Sequence, residues 1–208
     1  MTVELVTTDG IFALDGGEWA VTNNIWLVGN EREVLVIDAA HDAQPIVDAI
    51  NGRHVRAIVL THGHNDHINA AVPLRDITDA PILLHDADRM LWDVVWPSDS
   101  PDKPVVPGAT IKAGGHELAV LHTPGHSPGC CCFHDVETGV LFSGDTLFCG
   151  GPGATGRSHS DEPTILRSIR DVLLALPDDT TVHTGHGEST TIGDERDRVL
   201  ERAAELGL

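Results

Sequence analysis

The sequence has no tyrosine and only two lysines, and no apolar run approaches the roughly 20 residues of a membrane helix. Its 32 acidic residues outnumber the 13 lysines and arginines, which gives a net charge of −19. Because such a surface repels phosphate backbones, we expect no nucleic acid among its partners. The lack of a long apolar run leads us to expect no membrane partner either. The N-terminus lacks a basic segment followed by an apolar core, so we expect a cytoplasmic protein.

Cysteine is also scarce, and three of the four cysteines are consecutive: Cys130, Cys131 and Cys132, with Cys149 apart. Adjacent cysteines cannot form an ordinary disulfide framework. The triplet therefore predicts small apolar side chains in a buried strand of a reduced protein. With 208 residues, 41% of them apolar, the chain suits a single domain over residues 1–208 with a sizeable core.

The segment from Thr61 to His67 concentrates three histidines and an aspartate directly after an apolar run. Imidazole and carboxylate groups bind borderline-soft cations such as zinc. In extended backbone His62 and His64 point to the same side, whereas Asp66 and His67 follow a predicted turn into a helix. The spacing therefore indicates two neighbouring metal positions, to which the rest of the chain must add ligands.

Three further candidates lie at the ends of predicted strands, in loops rich in glycine and proline. They are His126, Asp145 and His186. Each follows a glycine, which lets the backbone approach a crowded centre closely. Because function is usually carried by loops at the ends of strands, these three side chains are the expected additional ligands.

The strand and helix patterns have a similar order in the two halves of the chain, which predicts two sheets packed face to face with helices outside. Residues 3–6 and 11–14 are predicted as two short strands separated by Asp9-Gly10. Asn65 is predicted to cap a helix that runs towards Ile77.

In order and interval, these candidates resemble the metallo-β-lactamase superfamily. Asp38 ends a predicted strand, the His-x-His-x-Asp-His segment begins at His62, and His126, Asp145 and His186 follow. The resemblance covers nearly the whole chain. It implies an α/β fold, an αβ/βα four-layer sandwich in which two mixed β-sheets lie face to face with helices outside.

The resemblance also implies two divalent metal ions, with zinc expected and iron or manganese as alternatives. The ligands of the two ions would be His62, His64 and His126 for the first, and Asp66, His67 and His186 for the second. Asp145 would bridge both ions, and Asp38 would orient the centre without binding metal. Asp66 and Asp145 would be the catalytic carboxylates around a hydroxide shared by the ions. We expect a helix N-terminus to bias His67 towards its neutral form.

Asp145 argues against a true metallo-β-lactamase. The largest class of those enzymes has cysteine at this position, and another class lacks the bridging aspartate. Lactonases of the family use a tyrosine beside the centre, and its nucleases carry basic RNA-binding segments; this chain has neither. The segments around His126 and Asp145 and the loop ending Gly156-Arg157-Ser158 are most similar to glyoxalase II-like hydrolases. The resemblance implies hydrolysis of a thioester of a low-molecular-weight thiol.

The sequence says less about the thiol carrier of the substrate than about the class of reaction. Glyoxalase II proper binds glutathione partly through a helical C-terminal extension, whereas this chain ends 22 residues after His186. The chain is also similar to small glyoxalase II-like proteins of actinobacteria that use mycothiol, so a mycothiol-linked thioester is a further hypothesis.

Three other functions stay open: a mononuclear iron persulfide dioxygenase, a hydrolase of lactones or other esters, and a non-catalytic metal-binding domain. The complete second ligand set favours a dinuclear hydrolase over the first of these. We expect a small-molecule substrate and leave a homodimer open.

Arg157 is expected to form an ion pair within its loop, with a substrate carboxylate as the alternative partner. The remaining histidines are expected to be ordinary polar residues, the last three of them close to site loops: His41, His54, His85, His116, His134, His122, His159 and His183.

Overall fold

Two six-stranded sheets form the centre of the protein, whose computed structural model describes residues 2–208. Both sheets combine parallel and antiparallel pairs, and separate clusters of apolar side chains lie between the sheets and beneath the helices on each outer face. The predicted four-layer sandwich of two mixed sheets is therefore confirmed.

The N-terminal sheet has its six strands in chain order, so that each strand pairs with the next. The first two junctions are antiparallel and the remaining three are parallel. Parallel neighbours need a crossover connection, and helices provide it at each of the three parallel junctions. The strands are β1 (Thr2–Leu14), β2 (Gly17–Gly29), β3 (Glu33–Ile37), β4 (His54–Val59), β5 (Ile82–Leu84) and β6 (Lys103–Pro104).

The C-terminal sheet has the strand order β14-β13-β10-β9-β8-β7, and its only parallel pair is β10 with β13. A separate short hairpin is formed by β11 and β12. The strands are β7 (Thr110–Ala113), β8 (His116–His122), β9 (Cys131–Asp135), β10 (Val140–Gly144), β11 (Leu147–Phe148), β12 (Gly151–Pro152), β13 (Thr181–Thr184) and β14 (Thr190–Thr191).

Within the described part of the chain, six α-helices pack around the two sheets. They are α1 (Ala43–Ile50), α2 (Asn65–Ile68), α3 (Ala71–Thr78), α4 (Arg89–Val95), α5 (Glu162–Ser168) and α6 (Ile192–Glu205). A 3₁₀ turn at Asp86–Asp88 precedes α4, and a π-helical turn at Ile169–Leu173 extends α5. Within residues 2–208, no helix has the length and apolar character that crossing a membrane requires.

The buried strands are apolar on both faces because each sheet has a packing partner on either side. In β3, Leu35 and Ile37 face the opposite sheet, whereas Val34 and Val36 face the helices. The cysteine triplet is buried as predicted, and all four cysteines are free. Burial raises the pKa of the Cys132 thiol to about 11, which suits a packing role rather than a reactive one.

The N-terminal hairpin differs from the prediction of two short strands. β1 is continuous over 13 residues and pairs in unbroken register with β2, and Asp9-Gly10 lies in its middle. A β-carbon at Gly10 would collide with the ring of His41, so this glycine permits close packing rather than a turn. The turn lies at Asp15-Gly16, where both residues have positive φ.

Asn65 also differs from its predicted role. The helix it begins breaks after Ile68, and its side chain does not cap that helix. Instead, its amide accepts a hydrogen bond from the Ala13 N–H and donates one to the Ile11 carbonyl. The asparagine therefore fastens the N-terminal hairpin to the histidine-rich segment.

Candidate metal centre

Five strands of shared direction end at the same edge of the sandwich, and their following loops meet there. Asp38 follows β3, the segment Thr61–His67 follows β4, and His126 lies after β8. Asp145 and His186 follow β10 and β13, which are parallel neighbours. The candidates scattered along the sequence are therefore brought together because the strands before them run in one direction.

The first histidine group consists of His62, His64 and His126, all buried. The Nδ1 atom of His64 lies 3.0 Å from Nε2 of His62 and 2.9 Å from Nε2 of His126. Three nitrogen atoms thus converge on one point.

The second group consists of Asp66, His67 and His186. The Nε2 atoms of His67 and His186 are 3.3 Å apart, and Oδ2 of Asp66 lies 3.3 Å from His186 and 3.6 Å from His67. This group is the more accessible one, because the His186 side chain is 23% exposed whereas His67 is fully buried.

Asp145 lies between the two groups. Its Oδ1 is 3.3 Å from Nε2 of His67, and its Oδ2 is 3.5 Å from Nε2 of both His126 and His186. One carboxylate therefore contacts both groups, in the position that the resemblance implies for a bridging ligand.

The hydrogen bonds of the histidine rings direct their Nε2 atoms towards the centre. His126 and His186 donate their Nδ1 hydrogens to the carbonyls of Ala154 and Thr22, each at 2.8 Å. His67 bonds a carboxylate in the same way. Since a carbonyl oxygen only accepts, Nδ1 of His126 and His186 carries a hydrogen, and Nε2 is the ring atom available to a metal ion. This is the usual environment of metal-binding histidine.

The donor set fits divalent metal ions by two further tests. Ligands about 2.0–2.2 Å from a tetrahedral ion lie roughly 3.3–3.6 Å apart, and the contacts within the groups span 2.9 to 3.6 Å. Two buried carboxylate oxygens without a hydrogen-bond partner also lie here: Oδ1 of Asp66 and Oδ1 of Asp145. Mixed imidazole and carboxylate donors suit zinc, iron and manganese alike.

Charge differs between the two groups. Burial lowers the pKa of His62, and it lowers the pKa of His64 to about 3, so these rings are neutral as metal ligands must be. Burial also opposes the charged form of His186, but Asp145 and Asp66 raise its pKa to about 10. The metal-free second group therefore holds protons.

The expectation that a helix N-terminus keeps His67 neutral is wrong for the metal-free centre. Burial favours the neutral ring, but three carboxylates, chiefly that of Asp145, raise the pKa of His67 well above its usual value. The weak field of the short helix α2 is outweighed by full charges at 2.9 to 3.6 Å. Burial would likewise raise the pKa of Asp145, yet His67 and His186 hold it well below its usual range.

The carboxylate of Asp38 supports the second group by contacting the outer nitrogen of His67. Its carboxylate accepts hydrogen bonds from the Thr61 N–H at 2.8 Å and from the Thr61 hydroxyl at 2.9 Å, and it contacts Nδ1 of His67 at 2.9 Å. It has left-handed backbone with φ 61° and is buried. The structure thus places Asp38 behind a ligand candidate rather than among the ligand candidates.

Asn23 and His41 belong to the site, although the sequence motifs did not indicate them. The amide of Asn23 donates to Oδ2 of Asp66 at 3.1 Å, and its oxygen accepts from Nε2 of His41 at 2.8 Å. Asn69 fixes this direction, because its oxygen accepts the His41 backbone N–H and its amide then donates to Nδ1 of His41. The histidine expected to be an ordinary polar residue therefore orients a group that contacts a metal-ligand candidate.

A cavity of about 270 Å³ opens onto both groups. Phe12 and Trp19 of the N-terminal hairpin form one wall, and Phe148 and Arg157 also line it. Among residues 2–208 Arg157 has no carboxylate partner, and its guanidinium lies 4.3 Å from the Trp19 ring centre. The expected ion pair within its loop is therefore wrong, since the ring takes the place of an acidic partner.

Comparison with known proteins agrees with this architecture. Residues 19–186 match the family model of the metallo-beta-lactamase superfamily. A hydroxyacylglutathione hydrolase of Haemophilus influenzae is 34% identical, over 83% of this chain and 87% of the relative. The BLEG-1 B3 metallo-β-lactamase has a TM-score of 0.78 at 30% identity and covers 91% of this chain and 97% of its own. TTHA1623, solved in a di-iron-bound form, has a TM-score of 0.76 at 33% identity, with 85% and 93% covered.

The chain belongs to the metallo-β-lactamase superfamily. Together with the cluster of histidines and aspartates, this membership defines it as a metal-dependent hydrolase of that superfamily.

Proposed function

We propose that the protein is a dinuclear hydrolase of thioesters of a low-molecular-weight thiol. The observation that carries the proposal is the completeness of the second group, with Asp145 in contact with both groups. A centre for a single ion needs only the first histidine group. The similarity to a hydroxyacylglutathione hydrolase supports the thioester class.

In this proposal the first ion is held by the first histidine group and the second ion by the second group, with zinc as the expected metal. Two divalent ions, when bound, supply Lewis acidity towards a carbonyl and lower the pKa of water. Asp145 fixes the spacing of the two groups. Asp38 keeps Nε2 of His67 free by accepting its Nδ1 hydrogen.

Asp66 is the proposed proton acceptor. Its Oδ2 faces His186 and Asn23, whereas its Oδ1 is buried without a hydrogen-bond partner. Because Asp66 lines the cavity, its carboxylate can orient the attacking water and hold its proton while the thioester carbonyl is attacked. The leaving thiolate needs little acid assistance, because the pKa of a free thiol is near 8.5. No serine or cysteine nucleophile is required.

The cavity favours a small acyl group. A volume of about 270 Å³ lies just below the range of roughly 300–1,000 Å³ for ligand sites. The thiol carrier would then extend over the hairpin wall, where the Arg157 guanidinium retains free donors for a carboxylate. Glutathione and mycothiol are the two candidate carriers, and the hydrolysis experiment below compares them.

The test is a hydrolysis panel run on protein of measured metal content. It contains one acyl group on several thiol carriers, together with a lactone, a phosphoester and a β-lactam. We expect turnover of at least one thioester, and its loss in His64→Ala and Asp145→Ala. Unchanged turnover in these variants would show that the assigned centre is wrong.

Arg157→Gln refines the substrate assignment. We expect a higher KM with little change in kcat, because the residue contacts the carrier and not the reacting carbonyl. Arg167→Gln, on α5 and away from the cavity lining, is the control. Equal KM values in wild type and Arg157→Gln would remove Arg157 from the substrate site.

A further inference from the structure

Asp88 occupies the N-cap position of α4 but does not cap that helix. Its side chain is fully buried, with 0% exposure. A carboxylate in such a place is destabilising unless hydrogen bonds replace the lost water. The bonds that Asp88 makes are therefore informative about why an acidic residue stands there.

The carboxylate of Asp88 accepts three short hydrogen bonds from two different loops. Its Oδ2 accepts from the Gly63 N–H at 2.7 Å and from the Ser127 hydroxyl at 2.6 Å. Its Oδ1 accepts from the Gly129 N–H at 2.6 Å. Charge-assisted bonds of this length are among the stronger hydrogen bonds in proteins.

Both loops carry ligands of the first histidine group. Gly63 lies between His62 and His64, and Ser127 directly follows His126. The buried carboxylate therefore ties together the two segments that supply all three rings. Asp38 has the corresponding place behind the second group, so each group has its own buried carboxylate.

The carboxylate of Asp88 lies so close to both loops that only glycine fits beside it without displacing them. A β-carbon at Gly129 would lie 2.6 Å from Cγ of Asp88, and one at Gly63 would lie 3.0 Å from its Cβ. Larger residues would push the loops away from the carboxylate. The close approach thus depends on features of three separate segments of the chain.

We propose that Asp88 is a positioning residue that fixes the spacing of the first histidine group and sets its metal affinity separately from that of the second group. The inference rests on the proposed two-metal centre. It assigns no contact between Asp88 and substrate.

The test is Asp88→Asn, which keeps the shape but presents an amide hydrogen to at least one N–H or O–H donor. Each group is titrated alone with cobalt(II), followed by absorption, using His186→Ala as the background for the first group and His126→Ala for the second. We expect roughly 10- to 100-fold weaker binding to the first group. Binding to the second group should stay close to wild type.

Two further variants sharpen the result. Asp86→Asn changes an exposed carboxylate on the same 3₁₀ turn, and it should leave both affinities unchanged. Ser127→Ala removes one of the three bonds without adding a donor, and it keeps the test available if Asp88→Asn does not fold. We expect it to weaken the first group by roughly three- to tenfold.

A purely structural role for Asp88 predicts a different pattern. Asp88→Asn would then unfold at lower urea concentration, yet bind cobalt at the first group with wild-type affinity, or weaken both groups equally. Either result overturns the inference. If the wild type binds fewer than two metals, the proposed function fails, while the first-group affinities of the wild type and Asp88→Asn still decide the role of Asp88.

Discussion

Replacing Gly185 with alanine would place a methyl group inside the metal centre. A β-carbon at this position would lie 2.8 Å from Cε1 of His67 and closer still to Oδ1 of Asp145. The loop cannot simply retreat, because the Gly185 N–H donates to the Gly144 carbonyl at 2.9 Å and the Gly185 carbonyl accepts from Asn24 at 2.8 Å. The ligand candidates must therefore move instead of the backbone.

The size of the movement follows from the distances. Ordinary contact begins at 3.4 Å, so restoring it requires His67 to shift by about 0.6 Å and Asp145 by more. A misplacement of about 1 Å in an active site can cost about 10²-fold in rate. We therefore expect kcat/KM to fall by between about 10- and 100-fold, with weaker binding of the second metal.

The assay is thioester hydrolysis at saturating and limiting zinc, with metal content measured on the same sample. Gly187→Ala is the matched control, because its β-carbon would meet nothing within 4 Å, although φ of +69° makes alanine strained there. It should lower stability by about 1–2 kcal/mol without changing metal content. Wild-type activity and metal content in Gly185→Ala would refute the arrangement of His67 and Asp145 described here.

Three other perturbations have defined outcomes. Asp145→Ala removes the carboxylate that contacts both groups, and elemental analysis should find fewer than two metals per chain, with turnover at background. Because the pKa of His186 is raised to about 10 and that of His67 is also raised, metal must displace protons from the second group below that pH. Its affinity should rise by up to about tenfold per pH unit for each displaced proton between pH 6 and 9. The affinity of the first group should change less, since the pKa of His64 is about 3, and titration of each group at several pH values distinguishes them. Phe133→Ala, at a fully buried position between the sheets, should lower the free energy of unfolding by about 3–5 kcal/mol in urea denaturation, while metal content stays at two per chain.

The sequence was sufficient to predict the sandwich and the convergence of the ligand candidates. Both follow from local patterns, because apolar runs mark the strands and each candidate directly follows a strand. The direction of the strands then brings distant loops to one edge. Asp145 and His186 could be predicted for this reason, although more than 75 residues separate them from Asp66 in the chain.

The missed residues act over long sequence separations and have no local pattern. Asp88 reaches Gly63 across 25 residues and Gly129 across 41. Its place before a helix resembles an ordinary N-cap. Asn23 likewise reaches Asp66 across 43 residues, and its neighbours read only as a strand. Such contacts depend on the packing of loops, which spacing alone does not determine.

The error at Gly10 has a similar cause. Asp9-Gly10 resembles a turn, but the glycine serves the close packing of the hairpin against His41. Arg157 shows the same limit, because its aromatic partner Trp19 lies 138 residues earlier in the chain. The sequence analysis predicted an acidic partner for Arg157 in the same loop.

The most direct test of the central claim is a metal titration of the metal-free protein in which thioester turnover and bound metal are measured together. The two-metal account predicts that turnover reaches its maximum only when two metals are bound per chain, and that His186→Ala binds one metal without regaining activity. Full activity with one iron per chain, accompanied by sulfite production from a persulfide, would contradict it.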